Sequence, residues 1–212
     1  WQDHIRNEKL KLFFSIFSHD IKTSISRLRL QAEILDEEAD SVKNAGMNQL
    51  VTDIMKLDLQ LENSLNFAHL NQTRFYIQEV KLSKIVSQIR SEFPDLNIQI
   101  QSDALIHTDV KIFTSILRNV LRNAELHGKA SHIDISIKSQ SDFLEIQIQD
   151  NGVGFVGDTQ LIGKYFNPSK NKLSNGFGLF ICRELIHKMN GKIYFSNNLK
   201  GFVVFIKITG KL

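Results

Sequence analysis

Residues 1–71 contain no proline and only one glycine, Gly46. A stretch with so few helix breakers is free to form long helices. Within it, Leu10, Phe13, Phe14, Phe17, Ile21, Ile25, Leu28, Ala32 and Leu35 recur at three- and four-residue steps. At about 100° per residue these positions share one apolar stripe, which predicts an amphipathic helix. A second stripe runs through Leu50, Ile54, Leu57, Leu61, Leu65 and Ala68. Between them, residues 36–48 are polar and charged and read as a turn region. Two long helices, each apolar on one face, make a hairpin. A lone hairpin buries little, so pairing of two copies into a four-helix bundle is the expected solution. A coiled coil, or a hairpin docked on the rest of the chain, is the blander alternative.

Residues 72–212 have a different period. Strand-like runs fall at 74–80, 97–101, 132–138, 143–149, 192–196 and 202–208. Helical patterns fall at 82–93, 109–127 and 177–189. Strands and helices mixed in this way, with short links between strands, predict an α+β sandwich. The sequence therefore divides into a helical hairpin, residues 1–71, and an α+β domain, residues 72–212, with 71–73 as the linker.

Composition narrows the function classes. The 26 basic and 23 acidic side chains leave a net charge of +3, too balanced to predict a nucleic-acid or anionic-membrane partner. No apolar run approaches the roughly 18–20 residues of a membrane span, and no signal peptide is visible. Cys182 is the only cysteine, so no internal disulfide forms, which fits a reducing compartment. The chain begins at Trp1, which reads as a fragment or a processed product. The histidines at 4, 69, 107, 132 and 187 show no metal-ligand spacing, and there is neither a P-loop nor a Ser/His/Asp triad.

One histidine stands apart. His19 lies about 170° around its helix from the centre of the apolar stripe, so it points outward. Asp20 follows it, and Thr23 lies one turn on along the same strip. An exposed helical histidine is by itself most often only solvated. A neutral imidazole is nevertheless a competent nucleophile near pH 7, and an adjacent carboxylate accepts its other proton. The run Phe17-Ser18-His19-Asp20-Ile21-Lys22-Thr23 resembles the H-box of sensor histidine kinases. The resemblance implies that His19 is the phosphoacceptor, that Asp20 assists as general base, and that Thr23 serves dephosphorylation of a partner response regulator. Lys22 and Ser24 replace the more frequent Arg and Pro of that box, and without the proline this helix is expected to bend differently.

Three further motifs follow in order. Asn119 and Asn123, at i and i+4, share one helix face and offer amide oxygens suited to a hard cation. Asp150-Asn-Gly152-Val-Gly154 follows a strand, with glycines that permit a tight turn and close approach of a ligand. Gly176-Phe-Gly178-Leu179 opens a helix whose N-terminal N–H groups suit phosphate, an effect of about 0.3–2 kcal/mol. Each signal is weak alone. Together, in this order, they resemble the N-box and two glycine boxes of the GHKL ATPases, a superfamily that also holds gyrase and mismatch-repair ATPases.

That resemblance covers nearly the whole chain and implies a GHKL α/β sandwich binding ATP and Mg²⁺. Asn123 then holds Mg²⁺, Asn119 is the other N-box asparagine, and Asp150 reads the adenine amine. Residues 155–175 become an ATP lid in which Tyr165-Phe166-Asn167-Pro168 resembles the F-box. Lys170 is the favoured contact to the terminal phosphates, ahead of Lys164 and Lys172. His127 stands where the family often has Tyr or His. Arg122 replaces a common acidic residue and Leu126 a common basic one, and Arg122 or a lid lysine is left to supply the missing charge. The implied protein is a homodimeric core on the cytoplasmic side of a membrane-anchored bacterial sensor. It serves a response regulator, has no nucleic-acid partner, and meets the membrane only through regions outside this sequence. Two rivals remain: a nucleotide-binding module that does not autophosphorylate, and an ATPase of the same superfamily driving conformational work. The second leaves His19 and Thr23 unused and lacks a catalytic Glu ahead of Asn123.

Overall fold

The computed structural model describes residues 21–28, 30–32, 46–47, 50–51, 53–54, 57, 61, 64, 74–140, 143–163 and 177–209. They fall into two compact units, one ending at residue 64 and one beginning at residue 74. His19, Asp20, Phe166, Lys170, Gly176 and the linker at 71–73 lie outside the described residues.

In the first unit every described residue is helical. Asp53 is only 1% exposed, and its Oδ1 accepts a hydrogen bond from Arg27 Nη2 at 2.8 Å. The pair ties the helical residues of 21–32 to those of 50–64. Thr23 is exposed. So are Ile25, Ile54 and Leu61 of the two apolar stripes, each more than a third exposed.

The second unit is built on a five-stranded sheet with two more strands beside it. In chain order its strands are β1 (Gln78–Lys81), β2 (Asn97–Ile100), β3 (Leu105–Thr108), β4 (His132–Gln140), β5 (Phe143–Asp150), β6 (Lys192–Asn198) and β7 (Gly201–Thr209). The large sheet has the order β2-β4-β5-β7-β6, and β1 pairs with β3. All pairs are antiparallel except β2 with β4.

Alternation along β5 shows where the core lies. Leu144, Ile146, Ile148 and Asp150 are buried, while Phe143, Glu145, Gln147 and Gln149 are half-buried. One face of the strand is therefore packed and the other is wetter. Register carries the buried row across the sheet through Ile135 opposite Ile148 and Val204 opposite Ile148.

Three helices, α1 (Leu82–Ile89), α2 (Val110–Leu126) and α3 (Phe177–Lys188), complete one continuous core with that row. On α1, Leu82, Ile85, Val86 and Ile89 sit at i, i+3, i+4 and i+7 and are at most 1% exposed. Each such burial is worth about 1.5–3 kcal/mol. Helix α1 has no side-chain cap of its own. Asp103, from the link between β2 and β3, supplies one, accepting from Ser83 N at 3.0 Å and Ser83 Oγ at 2.6 Å. Asp109 caps α2 by accepting from Ile112 N at 3.2 Å, and its other oxygen accepts from Tyr76 N at 2.9 Å.

That second bond explains a difference from expectation. Residues 74–77 are not strand, because Tyr76 gives its N–H to Asp109, and β1 begins only at Gln78. The helical reading of 82–93 also shortens. The α-helix stops at Ile89 and tightens into a 3₁₀ turn at Arg90–Glu92, while Phe93 remains in the core at 1% exposure.

Cys182 on α3 is fully buried, and burial pushes its thiol well above the usual cysteine range. The native protein should leave Cys182 unmodified by an aromatic disulfide reagent at pH 8. One thiol per chain should react on denaturation. Rapid colour release from the folded protein would contradict this packing.

Candidate active site

Period-two alternation carries Asp150 to the last core-facing position of β5. Its side chain is 7% exposed. Oδ1 accepts two backbone hydrogen bonds, from Gly152 N at 2.8 Å and Phe202 N at 3.0 Å. Among the described residues Oδ2 has no hydrogen-bond partner. One oxygen therefore fixes the carboxylate, and the other is left able to accept a further hydrogen bond.

The loop after Asp150 is seated by close backbone approach. A Cβ at Gly152 would stand 2.8 Å from the carbonyl carbon of Gly128 and 2.9 Å from its Cα. Val153 N donates to Gly128 O at 2.9 Å. Asn151 turns its Oδ1 to the N–H groups of Ser131 and His132, at 2.9 and 3.0 Å. These bonds fix the glycine-bearing loop against the C-terminal end of α2.

That end of α2 carries the paired asparagines. Asn119 is 2% exposed and donates from Nδ2 to Ser115 O at 3.2 Å, so it is a packed residue. Asn123 is half-buried, and its carbonyl closes the helix by accepting from His127 N and Gly128 N, both at 3.0 Å. Its side-chain amide has no hydrogen-bond partner among the described residues. An amide oxygen at this position suits a hard cation that keeps several of its waters. No cluster of three or more His, Cys, Asp or Glu suited to a metal occurs among the described residues. His127 is the exposed C-cap of α2.

Arg122 does not supply the charge missing at Leu126. Its Nη1 donates to Glu125 Oε2 at 2.8 Å, and its guanidinium lies 4.9 Å from the centre of the Phe93 ring. Neutralised by Glu125 and stacked toward the α1 side, it is engaged away from the glycine loop.

Beyond Gly154, with φ of +74°, the chain forms a short 3₁₀ turn at Thr159–Leu161 and reaches Gly163. This part of the expected lid is structured, and Arg183 Nη2 of α3 donates to Ile162 O at 2.8 Å. Gly178 lies half-buried in the first turn of α3, and Leu179 is buried.

The turn between β6 and β7 also builds the site, and its motif carries no familiar signal. Gly201, with φ of +149°, lies directly against Asp150. A Cβ there would sit 2.6 Å from Asp150 Oδ1 and 2.9 Å from Gly152 N. Gly128 and Gly201 are separated by many residues from the Asp-Asn-Gly-Val-Gly motif, and only the tertiary fold brings them to it. A glycine opening a strand after a polar turn was the one hint available.

Comparison with known proteins agrees with this geometry. Residues 108–211 match the family described as histidine kinase-, DNA gyrase B-, and HSP90-like ATPase. The matched stretch covers β4 to β7, α2 and α3, and with them Asn119, Asn123, Asp150 and the glycines around it. The chain as a whole aligns with sensor histidine kinases, as the H-box and glycine boxes implied. It is 26% identical to sensor histidine kinase YvrG of Bacillus subtilis, over 84% of this chain and 34% of that protein. It is 25% identical to sensor protein kinase GraS of Staphylococcus aureus, over 78% of this chain and 50% of that protein. The chain thus spans half or less of the length of these relatives. In fold it is similar to Acinetobacter baumannii histidine kinase AdeS, with a TM-score of 0.69 at 20% identity, over 90% of this chain and 97% of that one. It is also similar to histidine kinase ThkA, solved in complex with response regulator protein TrrA. That match has a TM-score of 0.69 at 16% identity, over 99% of this chain and 65% of that one.

Proposed function

We propose that this chain is the catalytic core of a sensor histidine kinase that phosphorylates His19 with ATP and passes the phosphoryl group to an aspartate of a response regulator. The observation that carries the reading is the Asp150 carboxylate, fixed through Oδ1 by two backbone N–H groups and open at Oδ2 to an exocyclic amine. In this reading residues 72–212 bind ATP, with Gly152 and Gly154 forming the wall beside the base. Gly176, Gly178 and Leu179 present the α3 N-terminus to phosphate. Asn123 would hold Mg²⁺, which would supply charge neutralisation at the phosphates.

An imidazole nitrogen of His19 bonds to the γ-phosphorus as the bond to the β–γ bridging oxygen breaks, and ADP leaves. Asp20 takes the proton from the other ring nitrogen. Positioning and electrostatics carry most of the rate, as in phosphoryl transfer generally. Phe166 and Lys170 belong to the segment between the glycine boxes and are assigned to nucleotide closure. Thr23, exposed on its helix, is assigned to dephosphorylation of the regulator.

Residues 1–71 are proposed to dimerise as a four-helix bundle. The exposure of Ile25, Ile54 and Leu61 within one chain supports this, since a second copy would bury them. No helix among the described residues is long and apolar enough to cross a membrane. In this reading the chain lies on the cytoplasmic side, and an anchor belongs to other parts of the sensor.

One observation favours a second reading. With Arg122 held by Glu125 and Phe93, no substitute for the basic residue missing at position 126 is in place among the described residues of α2. A core that binds ATP without autophosphorylating is the alternative. Incubation with γ-labelled ATP and Mg²⁺ separates the two. The kinase reading expects acid-labile, alkali-stable label on the parent and none on His19→Gln. ATP binding by the folded parent without label would replace it with the silent module.

A further inference from the structure

We infer that Asn197 is a positioning residue for nucleotide binding, acting through the backbone of Phe155. This rests on the proposed function and deepens it. Asn197 lies near the end of β6, on the opposite side of the sequence from the glycine loop. Its Oδ1 accepts from Phe155 N at 2.9 Å, and its Nδ2 donates to Phe155 O at 2.7 Å. The side-chain amide thereby makes both hydrogen bonds that a neighbouring strand would make to residue 155. Gly154 fits against the same amide. A Cβ there would be 3.2 Å from Asn197 Oδ1, and the φ of +74° is one that side-chain-bearing residues rarely adopt.

Asn197 therefore clasps the loop at the point where it leaves the site. At the loop's start, Asp150 Oδ1 holds Gly152 and Phe202. The same hairpin touches both anchors, because Phe202, which donates to Asp150 Oδ1, is paired with Asn197 across β6 and β7. That hairpin is closed by Asn198, whose Oδ1 accepts from Lys200 N at 2.9 Å and Gly201 N at 3.1 Å. The β6–β7 hairpin thus holds the loop directly at Phe155 through Asn197, and at its start through the Phe202 N–H on Asp150. Without Asn197, Gly154 has two soft dihedrals and loses the amide packed against it, and the wall beside the base is populated only part of the time. Binding then weakens by the fraction of time the wall is absent.

The test uses the full chain and compares the parent with Asn197→Ala and Asn197→Asp. Asn197→Asp keeps the acceptor for Phe155 N–H and loses the donor. Dissociation constants are measured for ATP, ADP and adenosine. For Asn197→Ala the clasp expects all three to weaken by one common factor, on the order of three- to tenfold for two lost hydrogen bonds at a partly wet site. The KM for ATP in autophosphorylation should rise by the same factor with kcat at saturation unchanged. Amide exchange at Phe155 should quicken, and Asn197→Asp should fall between parent and alanine. Unchanged affinities for a folded Asn197→Ala, or weakening confined to ATP and ADP, overturn the inference and leave the proposed function standing. Failure of the parent to bind ATP overturns the proposed function, and this inference with it. If Asn197→Ala does not fold, the comparison of Asn197→Asp with the parent decides by the same three ligands.

Discussion

Asp150→Asn is expected to abolish measurable ATP binding while leaving the chain folded. The geometry sets both halves of that outcome. Oδ1 accepts from Gly152 N and Phe202 N, and an asparagine keeps an oxygen at that position for both. Its amide group must then take the place of Oδ2. In the proposed complex a group that accepts a hydrogen bond from an exocyclic amine becomes one that donates, and two donors face each other. A buried donor left without an acceptor costs about 1–3 kcal/mol, and the lost bond to a charged acceptor adds about 1.5–3 kcal/mol. Together these weaken binding by roughly two to four orders of magnitude. The loop anchors survive, so the denaturation midpoint should stay close to that of the parent. Calorimetric titration with ATP and a urea melt of the same sample check the two halves. Asp150→Ala is the contrast. It strands Gly152 N and Phe202 N as well, and should lose stability together with binding. Retained ATP affinity in Asp150→Asn would remove Asp150 from the base-reading role.

Much of the α+β unit was legible because its segments obey one period each. β5 alternates without a break from Phe143 to Asp150, and α1 places its apolar residues at i, i+3, i+4 and i+7. The failures occur where a tertiary partner outweighs the local pattern. β3 was not anticipated. Leu105–Thr108 is four residues long, and only two of them, Ile106 and Thr108, are buried. Its strand character comes from pairing with β1, as in Val80 opposite Ile106. The end of α1 was misplaced because Phe93 continues the apolar spacing into the 3₁₀ turn. Hydrophobic period reports burial, and it does not report which hydrogen bonds close a turn.

The site divides in the same way. The candidates that local pattern singles out are Asp150 with its two glycines, and the two asparagines one helical turn apart. How deeply each asparagine lies was not legible. Asn119 proves to be a packed residue bonded to Ser115 O, whereas Asn123 keeps its amide available. Spacing puts both on one face and cannot say how deep each lies. Arg122 had been one candidate for the missing charge at Leu126. Glu125, at i+3, and Phe93 on a separate element take it up instead. The glycine at 128 and the hairpin residues Asn197 and Gly201 were invisible as site residues. Their roles are contacts with distant backbone, and a glycine in a turn looks the same whether it faces water or a carboxylate.

Gly201→Ala carries the second large effect, and it separates that architecture from ordinary turn chemistry. At a φ of +149° an alanine is strained before any contact is considered, at a cost of about 1–3 kcal/mol. The new methyl would also meet the carbonyl oxygen of Asp150, and would stand 2.6 Å from its Oδ1 and 2.9 Å from Gly152 N. Two of these atoms are main chain and the third is fixed by two hydrogen bonds, so none yields as the end of a flexible side chain would. Overpacking of this kind adds about 1–3 kcal/mol. A total of about 2–6 kcal/mol is a large share of the roughly 5–15 kcal/mol that stabilises a domain. The urea midpoint should fall markedly. Whatever fraction stays folded should bind ATP weakly, because the strain is relieved by moving Asp150 away from Phe202 N. Leu199→Ala, two residues away and fully exposed, serves as the control and should change neither quantity. If Gly201→Ala lost stability but kept the ATP affinity of the parent at low temperature, the turn would be structural alone. Loss of both in step would place the β6–β7 turn in the nucleotide site itself, as the wall against which the base-reading carboxylate is held.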